Sequence, residues 1–119
     1  MPVPEERRRH LRLDSRIPMR YRKIETNSRE FKGSLLKNIS VGGAGMTLYE
    51  FLALNSRLAM EIPLISGKKP VKGVCRVAWV KKAPFGEQYD VGLEFADLNQ
   101  GDEGQLADFV FQKSFGKPD

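Results

Sequence analysis

Apolar and polar residues alternate along several short segments of this chain, and that period of two constrains the fold more than any other feature. Alternation of this kind is typical of strands that bury one face. The strand-like segments are separated by turn signals and comprise residues 17–22, 31–37, 44–48, 58–64, 71–80 and 89–95. The pattern predicts an all-β fold of about six strands, either a small antiparallel barrel or a sandwich.

The last part of the chain changes to a helical period. Leu106, Phe109 and Val110 follow the i, i+3, i+4 spacing that places side chains on one helical face. Asn99 or Asp102 is suited to cap the start, and a Gly-Lys-Pro sequence near the end of the chain is suited to stop the helix. We therefore expect a C-terminal helix that packs on the β body.

Positive charge is concentrated at one end of the chain. Residues 1–37 hold 11 Lys+Arg and 5 Asp+Glu, a balance of +6, whereas residues 38–119 hold 9 and 10, a balance of −1. A generic nucleic-acid binder more often has a broad basic face. The concentrated cluster is suited to a compact anion, although a solvated basic tail has the same composition.

The remaining composition favours one cytoplasmic domain that is not an enzyme. At 119 residues the chain can bury a core, and its single cysteine, Cys75, fits a reducing compartment. No apolar run approaches the ~20 residues that cross a bilayer. His10, the single histidine, lies among arginines, and no Cys/His grouping has metal-ligand spacing. We expect no catalytic residue, metal site, cofactor or membrane insertion.

The basic cluster lies in residues 1–15, which are interpreted as a flexible leader that precedes a body spanning residues 16–115. Its arginines are Arg7, Arg8, Arg9 and Arg12. Guanidinium groups bind phosphate through two hydrogen bonds, stack on purine rings and match the O6/N7 edge of guanine. The leader could therefore close over a ligand that carries phosphates and guanines, or it could be an ordinary charged terminus.

A glycine-rich polar turn follows the second predicted strand, with the pattern Asn38-x-Ser40-x-x-Gly43. Asparagine and serine side chains support tight turns, while Gly42 and Gly43 permit positive φ and a close approach to the backbone. The segment is either a simple turn or a surface that offers polar atoms to a ligand. Trp79 is expected in the core, because it lies in a strand-forming run; otherwise it lines the ligand site.

These motifs together resemble the signature of PilZ domains. Arg8-x-x-x-Arg12 precedes Asn38-x-Ser40-x-x-Gly43, and the later segments 75–79 and 91–95 resemble later strands of that family. The likeness covers roughly residues 5–115. It implies a six-stranded antiparallel β-barrel with a C-terminal helix, and a bacterial receptor for the second messenger cyclic di-GMP.

The resemblance also implies roles for individual residues. Arg8 and Arg12 would contact guanine and phosphate, and Asn38, at a position where many members have aspartate, would meet a guanine edge together with Ser40. The residues assigned to the cyclic di-GMP site are Arg7, Arg8, Arg9, Arg12, Asn38, Ser40, Gly42, Gly43 and Trp79.

The functional hypothesis is a receptor that orders its leader when the messenger binds and then signals to a downstream protein of unknown identity. The alternative is a PilZ-like adaptor that acts through protein contacts and does not bind the messenger. A barrel that binds single-stranded nucleic acid is disfavoured, because such modules stack bases on surface aromatics, whereas most aromatics here fall on predicted core faces. The sequence leaves monomer and homodimer open.

Overall fold

The computed structural model describes residues 12–25, 29–65 and 67–115. Within them, six strands form a closed antiparallel barrel in the order β1-β2-β3-β6-β5-β4, followed by one helix. The elements are β1 Arg12–Lys23, β2 Lys32–Ser40, β3 Gly43–Leu48, β4 Arg57–Ile62, β5 Val71–Lys82, β6 Tyr89–Leu98 and α1 Gln100–Phe115. The predicted barrel with a C-terminal helix is confirmed, and the sandwich is excluded.

The alternating residues form the barrel core as expected. Ile17, Met19 and Tyr21 are buried on β1, and the apolar positions of the other strands complete the same cluster. Each strand thereby removes one apolar face from water, which supplies most of the driving force for this fold. Cys75 is fully buried within this core, in agreement with its interpretation as a small apolar residue.

Strand β1 begins earlier than the sequence indicated. Arg12 already pairs with Ser40 of β2, so β1 includes residues 12–15, which were assigned to the leader, and residues 12–14 of them pair with β2. Residues 1–11 lie outside the described part of the chain. Pro18 is accommodated because β1 pairs with β4 only from Arg20 to Lys23, so its missing N–H interrupts no ladder on that side.

A β-bulge in β2 determines which residues of that strand face outward. Leu36 pairs with Met46, and the next pair is Asn38 with Gly45, so Lys37 is an extra residue in β2. A bulge of this kind shifts the two-residue alternation. Asn38 therefore remains partly exposed instead of following Leu36 into the core.

Helix α1 closes one end of the barrel. The side chain of Asn99 accepts a hydrogen bond from the backbone N–H of Asp102 at 2.9 Å, which is the expected N-cap interaction. Leu106 and Val110 are buried against the barrel, and Phe109 packs partly against the core. The predicted apolar face of the helix is confirmed.

Candidate functional site

Four residues form one row across the outer surface of the barrel. Asn38 of β2 pairs with Gly45 of β3, Gly45 pairs with Gly92 of β6, and Gly92 pairs with Trp79 of β5. Neighbouring strands lie about 4.8 Å apart, so the outer two residues are separated by about 14 Å at the backbone. A polar and an aromatic side chain thus border a floor of two glycines.

The two outer side chains lean inward over this floor. A Cβ atom built on Gly45 would lie 3.0 Å from Asn38 Nδ2, and one built on Gly92 would overlap the indole of Trp79. Glycine at both positions leaves room for these side chains to approach each other. The amide and the indole consequently line the same cavity, which has a volume of about 290 Å³.

Trp79 faces the outside of the barrel, so its expected core position is wrong. Val77 pairs with Leu93 and Trp79 pairs with Gly92, which makes Ala78 an extra residue in β5. This second bulge reverses the alternation: Val77 is buried, whereas Trp79 is 51% exposed. Trp79 therefore lines the cavity that Asn38 also lines.

The Ser40–Gly43 turn borders the same cavity. The backbone N–H of Gly43 donates to Ser40 Oγ at 3.3 Å, so the hydroxyl closes the turn. The carbonyl of Gly42 accepts a hydrogen bond from the Phe95 N–H at 2.9 Å, which ties the turn to β6. Ser40 and Gly43 line the cavity, and Gly42 lies between them in the chain.

The glycines in this turn do not adopt the positive φ that the sequence analysis considered. Neither Gly42 nor Gly43 has a positive φ; among the described glycines, only Gly67 and Gly86 do. A Cβ at Gly43 would instead overlap the backbone carbonyl of Leu93 in β6. This residue is glycine because two strands approach closely, not because the turn is left-handed.

The structure places Arg12 beside the turn. Its backbone pairs with Ser40 across the β1–β2 ladder. The first described residue of β1 therefore lies beside the polar turn. Arg7, Arg8 and Arg9 lie outside the described residues.

Two charged groups missed by the sequence analysis also border the cavity. Lys37 Nζ lies 3.4 Å from Asp90 Oδ1, and Thr47 Oγ1 donates to the same oxygen at 3.0 Å. The bulge that turns Lys37 toward Asp90 is not visible in the sequence. The position of Gly92 in the sequence is a weak indication of a site, since a glycine inside an alternating strand often marks a close approach of another group.

The cavity offers polar and aromatic groups that a ligand could contact. Its lining includes an amide, a hydroxyl, an indole, a lysine and a carboxylate. Across the described ranges, no cluster of His, Cys, Asp and Glu has the arrangement of a metal site. In the same part of the chain, no helix has the length and hydropathy of a membrane span.

Comparisons with known proteins agree on one family. The PilZ domain model matches residues 6–112. A search of curated proteins gave no significant match. Among solved structures, the Bacillus subtilis inhibitor of motility MotI/DgrA is 22% identical with a TM-score of 0.78, covering 100% of this chain and 59% of that protein. This chain thus spans less than two thirds of that relative's length.

Two structures of Escherichia coli YcgR are also similar. The PilZ domain of YcgR with c-di-GMP is 19% identical, with a TM-score of 0.66 over 94% of this chain and 99% of that domain. YcgR in complex with c-di-GMP is 19% identical, with a TM-score of 0.71 over 91% of this chain and 46% of that protein. The family model, the closed six-stranded barrel and the C-terminal helix show that this chain belongs to the PilZ domain family.

Proposed function

We propose that this protein is a receptor for cyclic di-GMP and binds it on the outer barrel face between Asn38 and Trp79. The observation that carries this proposal is the convergence of these side chains over paired glycines, beside the turn that Arg12 joins. Family membership supports it, as do the c-di-GMP complexes of similar PilZ structures.

The lining suits a guanine base. The Asn38 side chain offers both a donor and an acceptor, as the edge of guanine requires. The exposed indole of Trp79 offers an aromatic surface for stacking, an interaction worth roughly 1–3 kcal/mol per base. Gly45 and Gly92 let the Asn38 amide and the Trp79 indole lie close against the strands, so that these two side chains form the surface that a base would contact.

The phosphates require positive charge, and the arginines would provide most of it. Arg12 enters the barrel opposite Ser40, so the preceding Arg7, Arg8 and Arg9 are within a few residues of the turn. Guanidinium–phosphate hydrogen bonds are charge-assisted and worth roughly 1.5–3 kcal/mol each. Ligand binding would order residues 1–11 against the barrel, and a partner protein would recognise the resulting surface.

The test is calorimetric titration of cyclic di-GMP into the parent protein and three variants, Arg8→Ala, Arg12→Ala and Asn38→Ala. Each variant is expected to weaken binding at least about tenfold, which corresponds to ~1.4 kcal/mol. Lys113→Ala is the matched control, because it removes a positive charge from the last turn of α1. Trp79, the only tryptophan, gives a second readout through its fluorescence.

Unchanged affinity in all three variants would exclude this site. Absence of binding by the parent would favour the adaptor that acts without the messenger. A parallel titration with a single-stranded oligonucleotide at moderate salt separates recognition of the messenger from general affinity for phosphates.

A further inference from the structure

Strands β2 and β3 separate at one end. Their ladder ends at the pair Leu36–Met46. Beyond that pair, β2 remains bound to β1 as far as Lys32, and β3 remains bound to β6 as far as Leu48. The part of β2 from residue 32 to 35 therefore has a ladder partner on one side only.

The register indicates that backbone groups of β2 face this gap. In an antiparallel pair, residues alternate between those that exchange hydrogen bonds and those that point their N–H and C=O groups away from each other. Pro18 has no N–H and pairs with Leu35, which fits a pair of the second kind. Leu35, and Gly33 two residues earlier, thus present their backbone groups toward the gap.

The gap forms a cavity with a volume of about 990 Å³. Leu36, Leu48 and Tyr21 provide an apolar floor. At the rim, Leu35 is 44% exposed and Tyr49 is 76% exposed. This wedge, defined by β2 residues 32–36 and residues 47–50, lies where the β2–β3 ladder has ended.

Side-chain bonds cross the wedge. Glu50 accepts hydrogen bonds from Tyr21 Oη at 2.8 Å and Lys32 Nζ at 3.0 Å, which tie the segment after β3 to the far end of the wedge. Between the strands, Ser34 Oγ donates to the Thr47 carbonyl at a long 3.5 Å. A strand that pairs with β2 at Gly33 and Leu35 would displace this long bond.

The rim carries more positive than negative charge. Arg16, Lys32 and Lys37 line the wedge; Lys32 pairs with Glu50 and Lys37 pairs with Asp90. The acidic group there, Glu50, is already engaged with Lys32 and with Lys23, whose Nζ lies 3.0 Å from its Oε2. An extended segment that enters the wedge would therefore gain from acidic side chains on its outer face.

We propose that the wedge binds an extended acidic segment of a partner protein, which adds as a strand along the free edge of β2. Backbone hydrogen bonds to Gly33 and Leu35 would supply affinity, alternate apolar side chains would contact the floor, and the acidic ones would meet the basic rim. This proposal rests on the proposed function, because it describes the chemistry of the receptor's downstream partner. Lys37 borders both cavities, so a bound phosphate could alter the wedge.

The test uses a short capped peptide that alternates glutamate and valine, with a lysine–valine peptide of equal length as the control. With the acidic peptide, we expect amide shift changes in two-dimensional NMR at residues 32–36 and 47–50, and slower hydrogen exchange at Leu35. With the lysine–valine peptide, we expect neither change. No change, changes confined to other surfaces, equal binding of both peptides, or dimerisation that covers the same amides would overturn the proposal.

Two variants test the contacts separately. Leu35→Pro removes the proposed backbone donor and should abolish peptide binding. Since this variant could also disturb folding, Arg16→Glu tests the charge: it should weaken binding about fivefold, whereas Arg57→Glu on the exposed surface of β4 should have no effect. An unchanged affinity in Arg16→Glu contradicts the proposal.

Titration of cyclic di-GMP into the same samples distinguishes the two proposals. Binding of the peptide without binding of the messenger would support the wedge as a docking site and contradict the proposed receptor function. Binding of the messenger without binding of the acidic peptide would support the receptor function and contradict the docking site.

Discussion

The indole of Trp79 lies directly over Gly92, in the space that a methyl group at that position would occupy. Gly92 is itself buried, and it pairs with Gly45, over which the Asn38 side chain lies. The position of the aromatic wall of the site therefore depends on the absence of a side chain on the neighbouring strand.

Gly92→Ala should displace Trp79. We expect the free energy of unfolding to fall by about 1–3 kcal/mol, because the added methyl overlaps the indole, and we expect a shift in tryptophan emission and weaker binding of cyclic di-GMP. Gly104→Ala is the control: no atom lies within 4 Å of its added Cβ, and an alanine within α1 should stabilise by about 0.5–1 kcal/mol. Unchanged emission in Gly92→Ala would contradict the proposed packing.

Asp90→Asn should strengthen binding of an anionic ligand. Asp90 places a carboxylate on the wall of the candidate site and engages Lys37 at 3.4 Å. Its neutralisation removes a repulsion and frees the lysine, so affinity for cyclic di-GMP should rise roughly threefold to tenfold at low salt and less at high salt. Asp108→Asn makes the same charge change on the exposed part of α1. An equal gain there would indicate a general charge effect.

Glu50 should stabilise the protein in a pH-dependent manner. Burial opposes ionisation of this carboxyl, but hydrogen bonds from Tyr21, Lys23 and Lys32 outweigh it and lower its pKa from 4.5 to about 2. Folding thus favours the ionised form of Glu50 over the protonated form. This stabilisation is complete above about pH 4.5 and is lost as the pH falls toward 2.

Glu50→Gln should therefore lower the free energy of unfolding at neutral pH by about 1–2 kcal/mol. The difference between parent and variant should shrink through the same acidic range, as measured by denaturant unfolding at a series of pH values. Glu87→Gln is the control, because the Glu87 side chain is 89% exposed and lies 4.0 Å from Lys82. A difference that persists unchanged at the lowest pH would contradict the assigned charge.

Cys75 should be unreactive in the folded protein. Burial raises the pKa of its thiol to about 12, so the thiolate that attacks disulfide reagents is rare as well as inaccessible. Labelling should be slow in native buffer and should accelerate with denaturant in parallel with unfolding. Cys75→Ala, which has no thiol, gives the background rate. Rapid labelling under native conditions would show that the core around Cys75 opens locally.

Much of the fold could be predicted from local patterns. The alternation at Ile17, Met19 and Tyr21 indicates which face of β1 is buried, and the spacing of Leu106 and Val110 does the same for α1. These predictions succeeded because the burial of one face is recorded in the residues of that element alone. The polar turn at Ser40 could also be located from local residues, because asparagine, serine and glycine are typical of tight turns.

The orientation of Asn38 and Trp79 was decided only by the tertiary structure. A strict period of two would carry Asn38 inward with Leu36, and Trp79 inward with Val77. The bulges at Lys37 and Ala78 reverse that outcome, and a bulge is a mismatch between two paired strands. The sequence by itself determined the strands, the helix and the types of residue available to a ligand, whereas the register between strands distant in the chain decided which of them share a surface.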